Sequence, residues 1–277
     1  MKTFLILGGG TGGTIMANRL VRQLDLHEWK VVVVDQNETH YYQPGFLFIP
    51  FGIYKPEDVV KSKKSFLPSR AEFITAKVER VFPDENRVTL QDGRVLNYDA
   101  LIVATGTDIH PEEIEGLLGD GWYQNIFDFY TFEGASRLAK YLDKFEGGRV
   151  VINVAEMPIK CPVAPLEFSF LADDYFTRRG IRNKVDLVYA TPLSGAFTKP
   201  RSSAALGSML DQRGITLEAD FAVSSVDAAR NVISSYDGRE LNYDLLVTVP
   251  TNMGAKFIAD SEMGDDLNFI PTNKKTL

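Results

Sequence analysis

Residues 3–7, Thr-Phe-Leu-Ile-Leu, form a short run dominated by apolar side chains, the pattern of a strand buried on both faces of a parallel sheet. Six residues, Gly-Gly-Gly-Thr-Gly-Gly, follow without a linker. The next stretch, "TIMANRLVRQL", carries Ile15, Leu20, Val21 and Leu24 at helical spacing, and "KVVVVD" then returns to the apolar strand pattern and ends on Asp35. Strand, glycine turn, helix and strand in that order predict a βαβ unit. Further on, "AEFITAKVERVFPDENRVTLQDGRVLNYDALIVATGT" reads as short strands joined by Asp/Glu/Asn turns, closing on the apolar strand "ALIVATG". A second helical run, "PLEFSFLADDYFTRRG", precedes another apolar strand, "KVDLVYA".

The glycines give the first unit a chemistry. Gly8, Gly10 and Gly13 fit G-x-G-x-x-G, with Thr11 and Gly12 between them. In a dinucleotide loop the first glycine makes the tight turn, the second lets backbone approach a pyrophosphate, and the third lets helix and strand pack closely. The phosphates rest on the helix N-terminus, where free N–H groups and the dipole favour negative charge. Asp35 is placed to accept hydrogen bonds from a ribose hydroxyl, and its charge disfavours a 2′-phosphate. A glycine-rich turn without a ligand is the plainer reading, but so many parts in the right order favour the nucleotide.

The insert after Asp35 resembles that of flavoprotein reductases with two dinucleotide domains, which end it on an Ala-Thr-Gly turn beside the flavin. Ala104, Thr105 and Gly106 match that turn, and Val78 falls where the family makes a backbone contact to adenine. The resemblance implies FAD rather than NAD in this unit, with Gln36 beside Asp35 in the same site.

An internal repeat organises the rest. "DGRVLNYDALIVATG" begins at Asp92 and "DGRELNYDLLVTVPT" at Asp237, an offset of 145. The same offset carries "LILGGG" onto a stretch starting near Val150 and Val151, placing Gly8 on Asn153, Gly10 on Ala155 and Gly13 on Pro158. The strand that ends on Asp35 in the first unit ends on Ala190 in the second, about ten residues having been inserted between. A methyl group at the second position blocks a pyrophosphate, and proline at the third removes a donor. The fold class expected is α/β with two Rossmann-like units of the glutathione-reductase type, the second nested in the first. Its parts are a flavin unit over residues 1–113, a degenerate NAD-type unit over 114–244, and an incomplete return to the flavin unit over 245–277. Without a nicotinamide site, electrons must come from another donor.

The insertion contains Cys161, the only cysteine of the chain. "CPVAPLEF" places it ahead of a helical run, with Pro162 and Pro165 suited to a helix start. A thiol at a helix N-terminus beside Lys160 is expected to have a lowered pKa. Glu167, six residues on, can exchange a proton with it. The plainer readings are a buried small hydrophobe for Cys161, a first-turn dipole residue for Glu167 and a solvated charge for Lys160.

At this point the chain resembles the sulfide:quinone oxidoreductases and the flavoprotein subunit of flavocytochrome c sulfide dehydrogenase. "ETHYYQPGFL" resembles their segment running toward the isoalloxazine, and "PIKCPVAPLEF" their redox-cysteine segment with its Cys-to-Glu spacing of six. "GAFTKP" and "DLLVTVPTNMGAKFIADS" resemble the segments that follow. The resemblance implies an FAD enzyme in which a sulfide or persulfide donor attacks a cysteine sulfur near the flavin and two electrons pass through the flavin to a quinone acceptor. Cys161 would be the sulfur carrier, with Lys160 and Glu167 beside it, and Tyr42 and Pro44 would lie along the flavin; Lys199 is a weaker candidate. The family continues past the point where "FIPTNKKTL" stops, with a Gly-Asp motif, a partner cysteine and an amphipathic segment that meets the membrane. A truncated chain is therefore expected, with membrane contact only through the missing part. The alternatives are a type II NADH dehydrogenase-like flavoprotein, which should keep glycines in the second unit, and a non-catalytic flavin-binding protein.

Composition narrows the partners. Hydrophobic residues make up 44% and charged residues 24% of 277, which is ordinary for a globular chain. A net charge of −7 argues against nucleic acid as a partner. One cysteine excludes an intrachain disulfide and fits a cytoplasmic protein, peripheral at most to the inner face of the membrane. The N-terminal apolar run is too short for a signal peptide, and no window approaches the roughly 18 apolar residues of a membrane span. His27, His40 and His110 are too scattered for a metal site, with His40 read as a surface turn. "KSKKS" (61–65) reads as a solvated face, and "FLFIPFGIY" (46–54) as core, with quinone or membrane contact the sharper alternative. The oligomeric state, a homo-oligomer included, stays open.

Overall fold

The computed structural model describes residues 1–276 and divides into two compact units. The first comprises Met1–Tyr41, Val60–Asp108 and the segment from Met253 onward; the second comprises Tyr42–Val59 and Ile109–Asn252. Residues 42–59 and 245–252 thus go with the second unit, whereas the sequence reading assigned both stretches to the first.

The first unit is built on four parallel strands in the order β3-β2-β1-β4: β1 (Lys2–Leu7), β2 (Trp29–Asp35), β3 (Glu72–Thr75) and β4 (Ala100–Val103). Helix α1 (Thr11–Gln23) joins β1 to β2 and lays Ala17 and Leu20 against Ile6, Val31 and Val33. The opposite face buries Leu5, Leu7, Val32 and Val34 with Val78, Val88 and Leu90 of an antiparallel ribbon. A strand buried on both faces needs apolar side chains in succession, which is why β1 and β2 read as unbroken runs.

The second unit repeats the plan with five parallel strands in the order β5-β9-β6-β7-β8: β5 (Ile126–Phe127), β6 (Gly148–Val154), β7 (Val185–Ala190), β8 (Ile215–Glu218) and β9 (Leu245–Val249). Helices α2 (Phe132–Lys144), α3 (Ala164–Arg178) and α4 (Pro200–Gln212) connect them. A buried carboxylate organises the start of α2. Asp128 accepts from the N–H groups of Tyr130 and Thr131 and from the hydroxyls of Thr131 and Tyr123, and burial holds its pKa above the usual carboxylate range.

The register corrects the repeat by one residue at its start. In the first unit Asp99 accepts from the Thr3 N–H through its side chain at 2.7 Å and donates its own N–H to the Thr3 carbonyl at 2.9 Å. Asp244 makes the same pair of bonds with Arg149, at 2.7 and 2.8 Å. The offset is therefore 145 at the aspartates and 146 on the first strand. Leu7 corresponds to Asn153 and Val34 to Ala190, both being paired in β1–β2 and β6–β7. Gly8 then falls on Val154 rather than Asn153, and Asp35 on Thr191 rather than Ala190. Beyond that point the units diverge: three residues join β1 to α1, whereas nine join β6 to α3. No position-by-position match of Gly10 and Gly13 to Ala155 and Pro158 survives.

Candidate functional site

The three fingerprint glycines are glycine for different reasons. Gly8 has φ +100°, and a Cβ there would sit 2.4 Å from the Ala104 carbonyl oxygen. A Cβ on Gly13 would lie within 1.8 Å of the Gly8 carbonyl oxygen, so helix and loop touch through backbone alone. Gly10 is different: a Cβ there meets nothing within 4 Å. The fold does not require glycine at residue 10, but a ligand backbone-close to it does.

Helix α1 presents a free positive end at the same place. Its N-cap is Gly10, which offers no side-chain cap, and the first turn holds no acid. Thr11 and Gly12 are exposed there. Asp35, at the end of β2, takes the Gly9 N–H on Oδ2 at 2.7 Å and the Asn37 N–H on Oδ1 at 2.8 Å. Lys63 Nζ lies 2.5 Å from Asp35 Oδ1, and both side chains are nearly buried, at 8% and 11% exposure. That corrects the reading of "KSKKS" as a solvated face, because its central lysine is folded inward. His40 is also not in a surface turn; it sits in the strand Thr39–Tyr41 with its ring 4.6 Å from Phe66. Ala104 closes the loop by donating its N–H to Leu7 at 2.7 Å, Thr105 follows half-buried, and Gly106 turns the chain with φ +70°. Val78 is buried in the ribbon's apolar cluster, and Gln36 is exposed beside Asp35. The site fits an adenine dinucleotide with its pyrophosphate on α1.

The second unit builds something else from the same frame. Residues 155–163 form a strap between β6 and α3 with Cys161 exposed on it. Cys161 has φ +54°, a left-handed conformation that costs a non-glycine residue roughly 1–2 kcal/mol. Its carbonyl accepts from the Tyr130 hydroxyl at 3.0 Å and from the Ala164 N–H at 3.0 Å. One residue earlier, the Lys160 N–H donates to buried Asn252 at 3.2 Å, and Thr251 donates to Glu156 at 3.2 Å. Lys160 Nζ donates to Gln43 Oε1 at 3.3 Å and lies 6.0 Å above the Tyr130 ring. Glu167 is exposed in the first turn of α3. Cys161 thus precedes the helix, which starts at Ala164, instead of capping it. Tyr42 and Pro44 stand at the start of the turn Gln43–Phe48, exposed, while Phe46, Leu47, Ile49 and Phe51 are core. Lys199 is exposed ahead of α4.

The N-terminus of α3 is more closed than that of α1. The Ala164 N–H is taken by Cys161, Pro165 has none, and the Glu167 carboxylate occupies the first turn. Sequence reasoning missed Tyr130, Asn252 and Lys63. Nothing in a lone tyrosine or asparagine signals a partner many residues away, and a lysine inside a lysine run looks solvated.

The pyridine nucleotide-disulphide oxidoreductase family matches residues 2–250. The chain belongs to that family. Within the family it is similar to the mitochondrial sulfide:quinone oxidoreductase of Dictyostelium discoideum, 29% identical over 99% of this chain and 61% of that protein. The chain therefore spans about three-fifths of the length of this curated relative. The sulfide:quinone oxidoreductase structure from Aquifex aeolicus superposes with a TM-score of 0.82 at 24% identity, over 96% of this chain and 63% of that one. The structure of NDH2 from Plasmodium falciparum in complex with NADH shares the family fold too, with a TM-score of 0.71 at 15% identity over 94% and 57%. Among the described residues no helix is long and apolar enough to cross a membrane.

Proposed function

We propose that this chain is the nucleotide-binding and cysteine-bearing part of an FAD-dependent oxidoreductase that oxidises sulfide or a persulfide and passes the electrons to a quinone. The observation that carries the reading is the contrast between two helix starts. α1 offers an open, uncapped N-terminus above a glycine that the fold itself does not need, whereas α3 has that end filled and an exposed cysteine on the strap before it. The similarity to sulfide:quinone oxidoreductases from two sources supports the same assignment.

When bound, FAD supplies the two-electron redox chemistry. The chain's own residues bind, orient and present. Gly8, Gly10, Thr11, Gly12 and Gly13 hold the pyrophosphate, Asp35 and Gln36 the ribose end, and Val78, Ala104, Thr105 and Gly106 the adjoining wall. Cys161 carries the sulfur of the donor. Lys160 and Glu167 flank it, one supplying positive charge and the other a place for a proton.

The fold shared with NDH2 favours a second reading, in which NADH is the donor. Against it stand Val154 at the position of Gly8, the nine-residue strap, and the filled N-terminus of α3. The two readings separate under anaerobic conditions on the FAD-loaded chain. Sulfide is expected to bleach the flavin and a water-soluble quinone to restore it, with NADH inert. Cys161→Ser should keep FAD and lose the sulfide response. Bleaching by NADH alone would establish the second reading, and no response to either donor would leave a flavin-binding protein without this activity.

A further inference from the structure

The ion pair between Asp35 and Lys63 is expensive to bury. Two charges taken from water into a nearly closed site lose hydration that their attraction barely returns. Lys63 reaches the site from outside the βαβ unit, tied by its backbone N–H to the Glu38 carbonyl at 2.8 Å. Its stem packs over the dinucleotide loop, with Cδ 3.4 Å from where a Cβ on Gly9 would be.

Counting acceptor sites shows what the pair leaves open. A carboxylate has about four lone-pair positions, two on each oxygen. On Asp35, Oδ1 is filled by Lys63 Nζ and the Asn37 N–H, while Oδ2 holds, among the described residues, only the Gly9 N–H. One acceptor position therefore remains, enough for one ribose hydroxyl and not for a diol. The ammonium of Lys63 carries three protons and has one ion-pair partner among the described residues.

We propose that Lys63 is the second half of the ribose reader: Asp35 Oδ2 accepts from one hydroxyl of the adenosine ribose, and Lys63 Nζ donates to the oxygen of the other. Lys63 also pins the carboxylate so that its free lone pair is presented. This inference rests on the FAD reading of the site, and it makes the paired charges a recognition device for a neutral vicinal diol.

The test measures binding of FAD, ADP, 2′-deoxy-ADP and 3′-deoxy-ADP to the whole chain by calorimetry. In the wild type each deoxy analogue should bind about tenfold more weakly than ADP, since each lacks one hydrogen bond to a charged group. Lys63→Met should weaken FAD and ADP by about tenfold and abolish one of the two deoxy penalties while the other stays. Lys63→Arg should retain both. Equal affinity of the wild type for all three diphosphates overturns the inference without any variant. So does a Lys63→Met protein that melts lower yet keeps both penalties, which is what a purely structural ion pair would give. A wild-type chain that binds neither FAD nor ADP overturns the cofactor reading and this inference together.

Discussion

The hydroxyl of Tyr130 donates to the carbonyl oxygen of Cys161 at 3.0 Å, so the backbone of the exposed cysteine is held from the buried side. Burial pushes the Tyr130 phenol above its ordinary pKa, and the nearby Cys161 adds to the shift. Tyr130→Phe keeps the ring and removes that donor. Ala164 still serves the same carbonyl, and the loss should be about 1 kcal/mol of stability. Urea unfolding measures it, and an unchanged midpoint would show that the bond contributes nothing.

The left-handed backbone at Cys161 makes a prediction with an unusual sign. Cys161→Ala removes the thiol and keeps the strain, whereas Cys161→Gly removes both. Glycine loses more chain entropy on folding, yet relief of the conformation should leave the glycine variant more stable than the alanine one by about 0.5–1 kcal/mol. The comparison is between two urea midpoints. An alanine variant of equal or greater stability would mean that the conformation carries no strain.

Two glycine substitutions separate folding from binding. Gly13→Ala forces a methyl group into the Gly8 carbonyl and should destabilise the first unit by several kcal/mol, on the order of the worst core overpacking. Gly10→Ala enters open space and should change stability by no more than about 0.5 kcal/mol, while weakening FAD at least tenfold by blocking the phosphate approach. Thermal melting and flavin fluorescence read the two effects. An FAD affinity unchanged in Gly10→Ala would remove the pyrophosphate from this loop.

His40 sets a pH dependence. Burial, followed by the nearby Lys63 charge, lowers its pKa below the ordinary 6.5, partly offset by Asp35. The unfolded chain therefore takes up this proton before the folded one, and stability must fall as pH drops through the unfolded value near about 6.5. The carboxylates with lowered pKa, Glu38, Glu85, Asp92 and Asp237, lose their contribution only at more acid pH. His40→Gln should flatten the stability profile between about pH 7 and about pH 5.5. An unaltered slope across that window would place the sensitivity elsewhere.

The fold was legible where the physics is local. Apolar runs marked β1, β2, β4 and β7, the glycines marked the first turn, and the paired "DGR" segments exposed the repeat that located β6. What failed was register and burial of charge. The first strand slid by one residue because glycine and asparagine matched in a list are not the residues that pair across a sheet, and only the bonds of Asp99 and Asp244 fix that alignment. Lys63 was misread because a run of lysines carries no mark of which one turns inward. Cys161 was found, but the hold of Tyr130 on its carbonyl and of Asn252 on the Lys160 N–H spans 31 and 92 residues of chain and has no periodic signature.

The empty space around Gly10 has an evolutionary corollary. Positions 8 and 13 are held by the polypeptide's own sterics and would stay glycine in any descendant that still folds. Under the proposed function, position 10 answers to the guest molecule only. A lineage that abandoned the nucleotide would therefore acquire a side chain there first, and residue 10 alone would report the loss before the scaffold recorded any change.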